Sequence, residues 1–156
     1  MAELPGQEEV HDLLADLLGR EVVLRPGGRF RSKNGGSVAV YIDDEDQVAA
    51  FGIADIPFAA YAGAALALMP ARQAHEAVEL NKLTDELREN YREVVNIGAS
   101  LFCHAGPHVR LRDTHELTRE ALGPELVDML RRPKRKIVYQ VNVSQYGRGK
   151  LALAVM

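Results

Sequence analysis

One stretch of the sequence places four polar side chains at intervals that would align them on a helix. They are Glu89, Glu93, Asn96 and Ser100, separated by four, three and four residues, and residues three or four apart share one helix face. The stripe combines two carboxylates, a hydroxyl and an amide that can both donate and accept hydrogen bonds. Asn96 is a poor helix former within a helical run, which indicates a role for its amide. The spacing alone is also common on solvated helix faces.

A second group of residues has the side chains that bind metals. Six of them fall close together: Cys103, His104, His108, Asp113, His115 and Glu116. Their spacing matches none of the established zinc signatures. We therefore expect no metal in this chain. Instead, Cys103 would pack as a small hydrophobe at a helix end, and His108 and His115 would flank a strand with solvent-facing side chains.

The length and composition of the chain are those of a single globular domain, whose helices and strands must position these residues. With 156 residues, of which 47% are hydrophobic and 26% charged, the composition is that of a globular protein and excludes collagen-like and disordered classes. We expect a single domain spanning residues 1–156. The fold class predicted from the order of helices and strands is α+β, with long helices packed on a mostly antiparallel sheet.

Charge, hydrophobicity and cysteine content limit the partners and the cellular location of this chain. A net charge of −3 gives no electrostatic attraction to nucleic acid or to an anionic membrane. The longest charge-free apolar stretch, residues 56–70, is shorter than the ~18 residues that read as a membrane span. The acidic start lacks the regions of a secretion signal, and the single cysteine cannot form an intrachain disulfide. A cytoplasmic protein is expected.

Periodicity and turn residues predict the elements along the chain. Helices are expected over residues 7–18, from Pro57 to about 70, over 71–83 and 84–102, and over 124–131. Strands are expected over 21–24, 37–42, 48–53, 109–112, 137–144 and 150–156. The fourth helix has Thr84 as its N-cap and would carry the polar stripe. The alanines and glycine of the second helix would allow close approach to a neighbouring element.

The string from Glu89 to Ser100 resembles the signature of the CheC/CheX/FliY chemotaxis phosphatases. That signature is an Asp or Ser, three residues, Glu, two residues, Asn, and then small residues including Gly. Glu93 stands at the family's Glu and Asn96 at its Asn, whereas Glu89 stands where Asp or Ser is usual. The order of elements over residues 37–156 is similar to the family's layout. One copy of the motif is present, as in the CheX-like members.

This resemblance implies a CheC-like fold and a specific activity. The protein would hydrolyse the aspartyl phosphate of a CheY-like receiver domain, with Asn96 orienting water and Glu93 anchoring a receiver lysine. Glu89 and Ser100 would contact the partner. The chain would need no cofactor, because the Mg²⁺ would be held by the receiver. The alternative is a non-catalytic binding or dimerisation module, which Glu89 and an early Pro107 favour.

Two further features bear on partners. The basic run from Arg131 to Lys136 could contact phosphates or an acidic partner, although such a connection is normally just solvated. The terminal β-rich segment Leu151 to Val155 would leave a hydrophobic edge if it lay outermost in the sheet, and this predicts a possible homodimer.

Overall fold

The computed structural model describes residues 2–103 and 107–156; for Ser32 it describes the backbone alone. The chain has a mixed fold of helices packed on a sheet. The described strands are β1 (Val22–Pro26), β2 (Ser37–Ile42), β3 (Val48–Ala54), β4 (Arg110–Glu116), β5 (Arg135–Val143) and β6 (Gly147–Val155). They form one antiparallel sheet in the order β1-β5-β6-β3-β2-β4. The described helices are α1 (Gln7–Leu18), α2 (Ile56–Leu66), α3 (Ala71–Leu80), α4 (Asp85–Gly98) and α5 (Arg119–Arg131).

One face of the sheet is covered by α2, which is the centre of the larger core. Nearly all of its side chains are buried, as its alanine-rich sequence predicts. Two glycines allow neighbours to approach it closely. A methyl group at Gly149 of β6 would collide with the backbone of Phe58, and one at Gly63 would lie 2.8 Å from the carbonyl oxygen of Leu87 in α4. The helix α2 is therefore held tightly between the sheet and α4.

The other face of the sheet is covered by α5 over a smaller apolar core that includes Leu122 and Leu126. The sequence predicted this helix only from residue 124. It begins at Arg119, where the Thr118 side chain accepts a hydrogen bond from the Ala121 amide, and it breaks at Gly123 with φ 80°. The prediction missed the first part because Gly123 and the proline after it resemble a helix start.

The β5–β6 hairpin corrects two expectations. Residues 147–149, predicted as part of the turn, belong to β6, and a three-residue connection with Gln145 at φ 72° closes the hairpin. The strand β6 lies between β5 and β3 and is paired on both sides. The segment Leu151 to Val155 therefore leaves no free edge, and the reason given for a homodimer is wrong, although no observation tests the homodimer itself.

The remaining helices and strands follow the sequence closely, except that β4, expected over 109–112, extends to Glu116 because its whole length pairs with β2. Strands β2 and β3 have the predicted bounds within one residue, and α1 ends at Leu18, where Gly19 caps it with φ 64°. The helix α2 stops at Leu66, earlier than expected, because Leu68 adopts a left-handed conformation with φ 56°. Similarly, α3 ends before Asn81, which has φ 52°. Across the described residues, no helix is both long and apolar enough to cross a membrane.

Candidate functional site

The polar stripe lies on α4, as predicted. Thr84 caps the helix, because its hydroxyl oxygen accepts a hydrogen bond from the amide of Leu87 at 3.1 Å. Asp85 and Glu86 occupy the first turn, where the helix dipole favours negative charge. The buried side of α4 consists of Leu87, Tyr91, Val94, Val95 and Gly98. This apolar face fixes the rotation of the helix and directs the opposite face to solvent.

All four predicted site residues are exposed on that opposite side. Glu93 and Asn96 lie three residues apart, or about 4.5 Å along the helix axis. Among the described residues, neither side chain has a hydrogen-bond or ion-pair partner, and the same is true of Glu89. Ser100 lies beyond the end of α4 in a 3₁₀ turn, and its hydroxyl donates to the carbonyl of Ile97 at 3.2 Å. The carboxylate and the amide are therefore free to bind another molecule together.

An apolar side chain beside the stripe was missed by the sequence reasoning. Ile97 directly follows Asn96 and is 39% exposed, although large apolar side chains are usually buried. The signal was present in the sequence, because position 97 falls outside the apolar face formed by Val94, Val95 and Gly98. The exposed surface around Asn96 thus offers an apolar contact as well as polar ones.

A buried hydrogen bond connects the end of α4 to the sheet. At this point the helix tightens into the 3₁₀ turn, and the amide of Ala99 donates to the carbonyls of Asn96 and Ile97. The carbonyl of Val95 instead accepts from the hydroxyl of Tyr41 on β2, at 2.7 Å. Burial raises the pKa of the Tyr41 hydroxyl well above its usual range. Tyr41 therefore holds in place the last turn of α4, which carries Asn96.

A second buried tyrosine in the same region makes no such bond. The ring of Tyr91 packs edge-on against Phe58 with centroids 6.0 Å apart. Its hydroxyl is buried without a hydrogen-bond partner among the described residues. Burial and the neighbouring Tyr41 and Asp55 raise the pKa of Tyr91. The two tyrosines therefore offer a direct comparison between a satisfied and an unsatisfied hydroxyl.

The residues considered for a metal site make separate contacts instead of converging on one point. Cys103 is half-buried and its thiol donates to the carbonyl of Ala99 at 3.5 Å. His108 contacts Asp44 and His115 contacts Asp113, each at 3.0 Å. His115 lies within β4 rather than flanking it. His104 lies outside the described residues. Among the residues that the structure describes, no three His, Cys, Asp or Glu side chains are grouped as a metal site would require.

Comparison with known proteins identifies the fold. Neither a protein-family model nor a curated protein sequence matches the chain. Among solved structures, Thermotoga maritima FliY is 12% identical, with 93% of this chain and 81% of that chain aligned at a TM-score of 0.61. FliM from Helicobacter pylori, solved with SpeE, is 5% identical over 95% of this chain and 80% of its own, at 0.59. The FliM middle domain from H. pylori is 7% identical, with 95% and 83% aligned at 0.51.

These similarities cover most of the chain, from the first helix to the final hairpin. The fold expected from the resemblance to the CheC/CheX/FliY proteins is therefore confirmed. At these identities, the similarity concerns the fold, and function must be argued from the side chains that the fold presents.

Proposed function

We propose that this chain is a CheX-like phosphatase that hydrolyses the aspartyl phosphate of a CheY-like receiver domain in chemotaxis signalling. The observation that carries the proposal is the presence of Glu93 and Asn96, exposed together on α4 and without partners among the described residues. Their spacing matches the motif by which the sequence resembles the CheC/CheX/FliY phosphatases, and the fold agrees with it.

The proposed chemistry requires little from this protein beyond positioning. An aspartyl phosphate is already activated, so hydrolysis needs a water molecule held in line with the bond that breaks. The amide of Asn96 can accept from and donate to that water. The water oxygen attacks phosphorus, the bond to the aspartate oxygen breaks, and aspartate and inorganic phosphate are released. Mg²⁺, which neutralises the developing charge, would be held by the receiver domain.

The receiver domain would dock on the exposed side chains of α4 and of the turn that follows it. Glu93 would pair with a lysine of the receiver, which places Asn96 against the phosphorylated aspartate. Glu89 and Ser100, before and after the pair, would contact the partner at the margins. Ile97 would add apolar area at the centre of the contact. Because Tyr41 fixes the end of α4, Asn96 would be held in position before the receiver binds.

The test is the rate at which phosphorylated receiver domains from the same organism lose phosphate when this protein is added. Asn96→Ala should bind the receiver but lose roughly 100-fold of the acceleration, the scale of a misplaced reacting group. Glu93→Ala should weaken binding first. Asn142→Ala, which changes an exposed Asn on β5, is the matched control and should keep full activity. Full acceleration by the Asn96→Ala variant would disprove the mechanism.

A non-catalytic role is the second candidate, and two observations favour it. The motif has Glu89 in place of Asp or Ser, and α4 tightens into a 3₁₀ turn after Gly98, only two residues beyond Asn96. In that case, the same α4 surface would bind the receiver without hydrolysing its phosphate. Saturable binding of the phosphorylated receiver with an unchanged decay rate would support this candidate over the phosphatase.

A further inference from the structure

The sheet face opposite α2 carries a groove that the proposed phosphatase does not use. It has a volume of about 610 Å³ and runs along α5 from Arg119 to Arg131. We call it the α5 groove. Its apolar lining is formed by six side chains: Phe30, Ile53, Leu117, Leu122, Val127 and Leu130. Phe30, Leu117, Val127 and Leu130 are only partly buried, so the smaller core is open to solvent along this line.

The rim of the α5 groove is basic. Four exposed cations line it: Lys33, Arg119, Arg131 and Lys136. Within residues 2–103 and 107–156, none of the four has an acidic partner, and Glu120 is the one acidic residue in the described lining.

The rim of the α5 groove is a local concentration of positive charge. The chain has a net charge of −3. Elsewhere several arginines form ion pairs with nearby carboxylates, as Arg88 does with Asp85 and Arg110 with Asp46. The α5 groove is thus a positive region on a protein that is otherwise acidic. Three segments bring these charges together: the loop after β1, the start of α5 and the run from Arg131 to Lys136.

An apolar floor between positive rims determines the chemistry of the occupant. The part of α5 after the break at Gly123, residues 124–131, is about 12 Å long, so the groove offers space for about two turns of a partner helix along it. Apolar side chains at i, i+3 or i+4 and i+7 would fill the floor, and flanking carboxylates would pair with the rim. Nucleic acid fits less well, because Phe30 is the one aromatic side chain in the described lining and the floor is otherwise aliphatic.

We propose that the α5 groove binds an acidic amphipathic helix of a partner protein. This goes beyond the proposed phosphatase activity and does not depend on it. The stripe on α4 lies over the opposite face of the sheet, so a receiver and this second partner can bind at the same time. The basic run, whose sequence is compatible with either a solvated connection or contact with an acidic partner, contributes Arg131 and Lys136 to this surface.

The experiment uses the full chain and three fluorescently labelled peptides, with binding followed by anisotropy. One peptide has leucines at helical spacing flanked by glutamates, the second has lysines for the glutamates, and the third has serines for the leucines. Only the first should bind with saturation, and its affinity should fall steeply with added salt. Arg131→Glu with Lys136→Glu should weaken binding at least tenfold.

Matched controls separate the groove from general electrostatics. Arg72→Glu with Arg148→Glu makes the same charge change at exposed residues outside the groove and should leave binding within about twofold. Leu130→Gln, in the groove, should weaken binding, whereas Leu68→Gln, at a side chain 77% exposed elsewhere, should not. Circular dichroism and thermal unfolding verify that each variant is folded.

Several results would overturn the proposal. One is binding of the glutamate peptide that is unaffected by reversing the rim charges, and another is equal binding of the serine peptide. Absence of saturable binding up to about 1 mM peptide at low salt, which corresponds to less than about 4 kcal/mol, would also overturn it. Preferential binding to phosphatidylserine vesicles or to duplex DNA, with no binding to the peptide, would assign the basic rim to another class of partner.

Discussion

Replacing Tyr41 by phenylalanine tests how the end of α4 is held in place. The substitution keeps the ring, which packs against Phe102 with centroids 5.1 Å apart. It removes only the hydroxyl that donates to the Val95 carbonyl at 2.7 Å inside the core. The change therefore isolates one buried hydrogen bond with little loss of apolar contact.

The expected loss of stability follows from the Val95 carbonyl, which the substitution leaves buried without its hydrogen-bond donor. A buried hydrogen bond contributes a net of about 0.5–1.5 kcal/mol, but an unsatisfied buried acceptor costs about 1–3 kcal/mol. Among the described residues, the Ala99 amide cannot replace this donor, because it is already bonded to the carbonyls of Asn96 and Ile97. We expect Tyr41→Phe to lower the free energy of unfolding by about 1–3 kcal/mol. In a domain of this size each kcal/mol lowers Tm by roughly 2–4 °C.

Tyr91→Phe is the matched control. It removes a hydroxyl of the same kind from the same core, but this hydroxyl has no partner among the described residues. We expect no loss of stability, and a gain is consistent with removing an unsatisfied polar group. Urea unfolding of both variants and the unaltered chain measures the difference. Equal destabilisation by the two substitutions, or none by Tyr41→Phe, would refute the conclusion that the Tyr41 hydroxyl holds the end of α4 in place.

Three further predictions concern the elements that support the site, each measured by chemical unfolding. Gly63→Ala should destabilise by about 1–3 kcal/mol because its methyl group would press on the Leu87 carbonyl, and a gain in stability would contradict the close α2–α4 contact. Thr84→Ala should cost about 1 kcal/mol through loss of the cap, whereas Thr84→Ser should cost less. Burial raises the pKa of Asp55, so the folded state takes up a proton more readily than the unfolded chain. The stability of the unaltered chain relative to Asp55→Asn should fall as pH rises through the titration of this carboxyl, and the opposite slope would contradict the assignment.

Local patterns predicted most of the elements, and the reasons are physical. The cap at Thr84 and the apolar face of α4 are both short-range features, and they sufficed to place the polar stripe on an exposed helix surface. Strands β2 and β3 were predicted with nearly correct bounds because an acidic turn separates two β-rich runs. The alanines and Gly63 of α2 indicated close packing before any contact was known.

The errors arose where tertiary contacts decide the outcome. The position of β6 inside the sheet depends on pairing with β3, which is far away in sequence. The hydrophobicity of its residues alone therefore wrongly predicts an open edge. The hydrogen bond from Tyr41 to Val95 joins residues 54 positions apart and leaves no local signal. Likewise, the basic run near Arg131 acquires a groove only when the loop after β1 and α5 come together.

The most direct test of the central proposal is a single-turnover comparison of receiver dephosphorylation. The phosphorylated receiver is mixed with saturating protein, either unaltered or carrying Asn96→Ala, and the remaining aspartyl phosphate is followed over time. The proposal predicts fast decay with the unaltered chain and decay near the spontaneous rate with the variant. If the two proteins give the same decay curve while both bind the receiver, Asn96 does not position the attacking water.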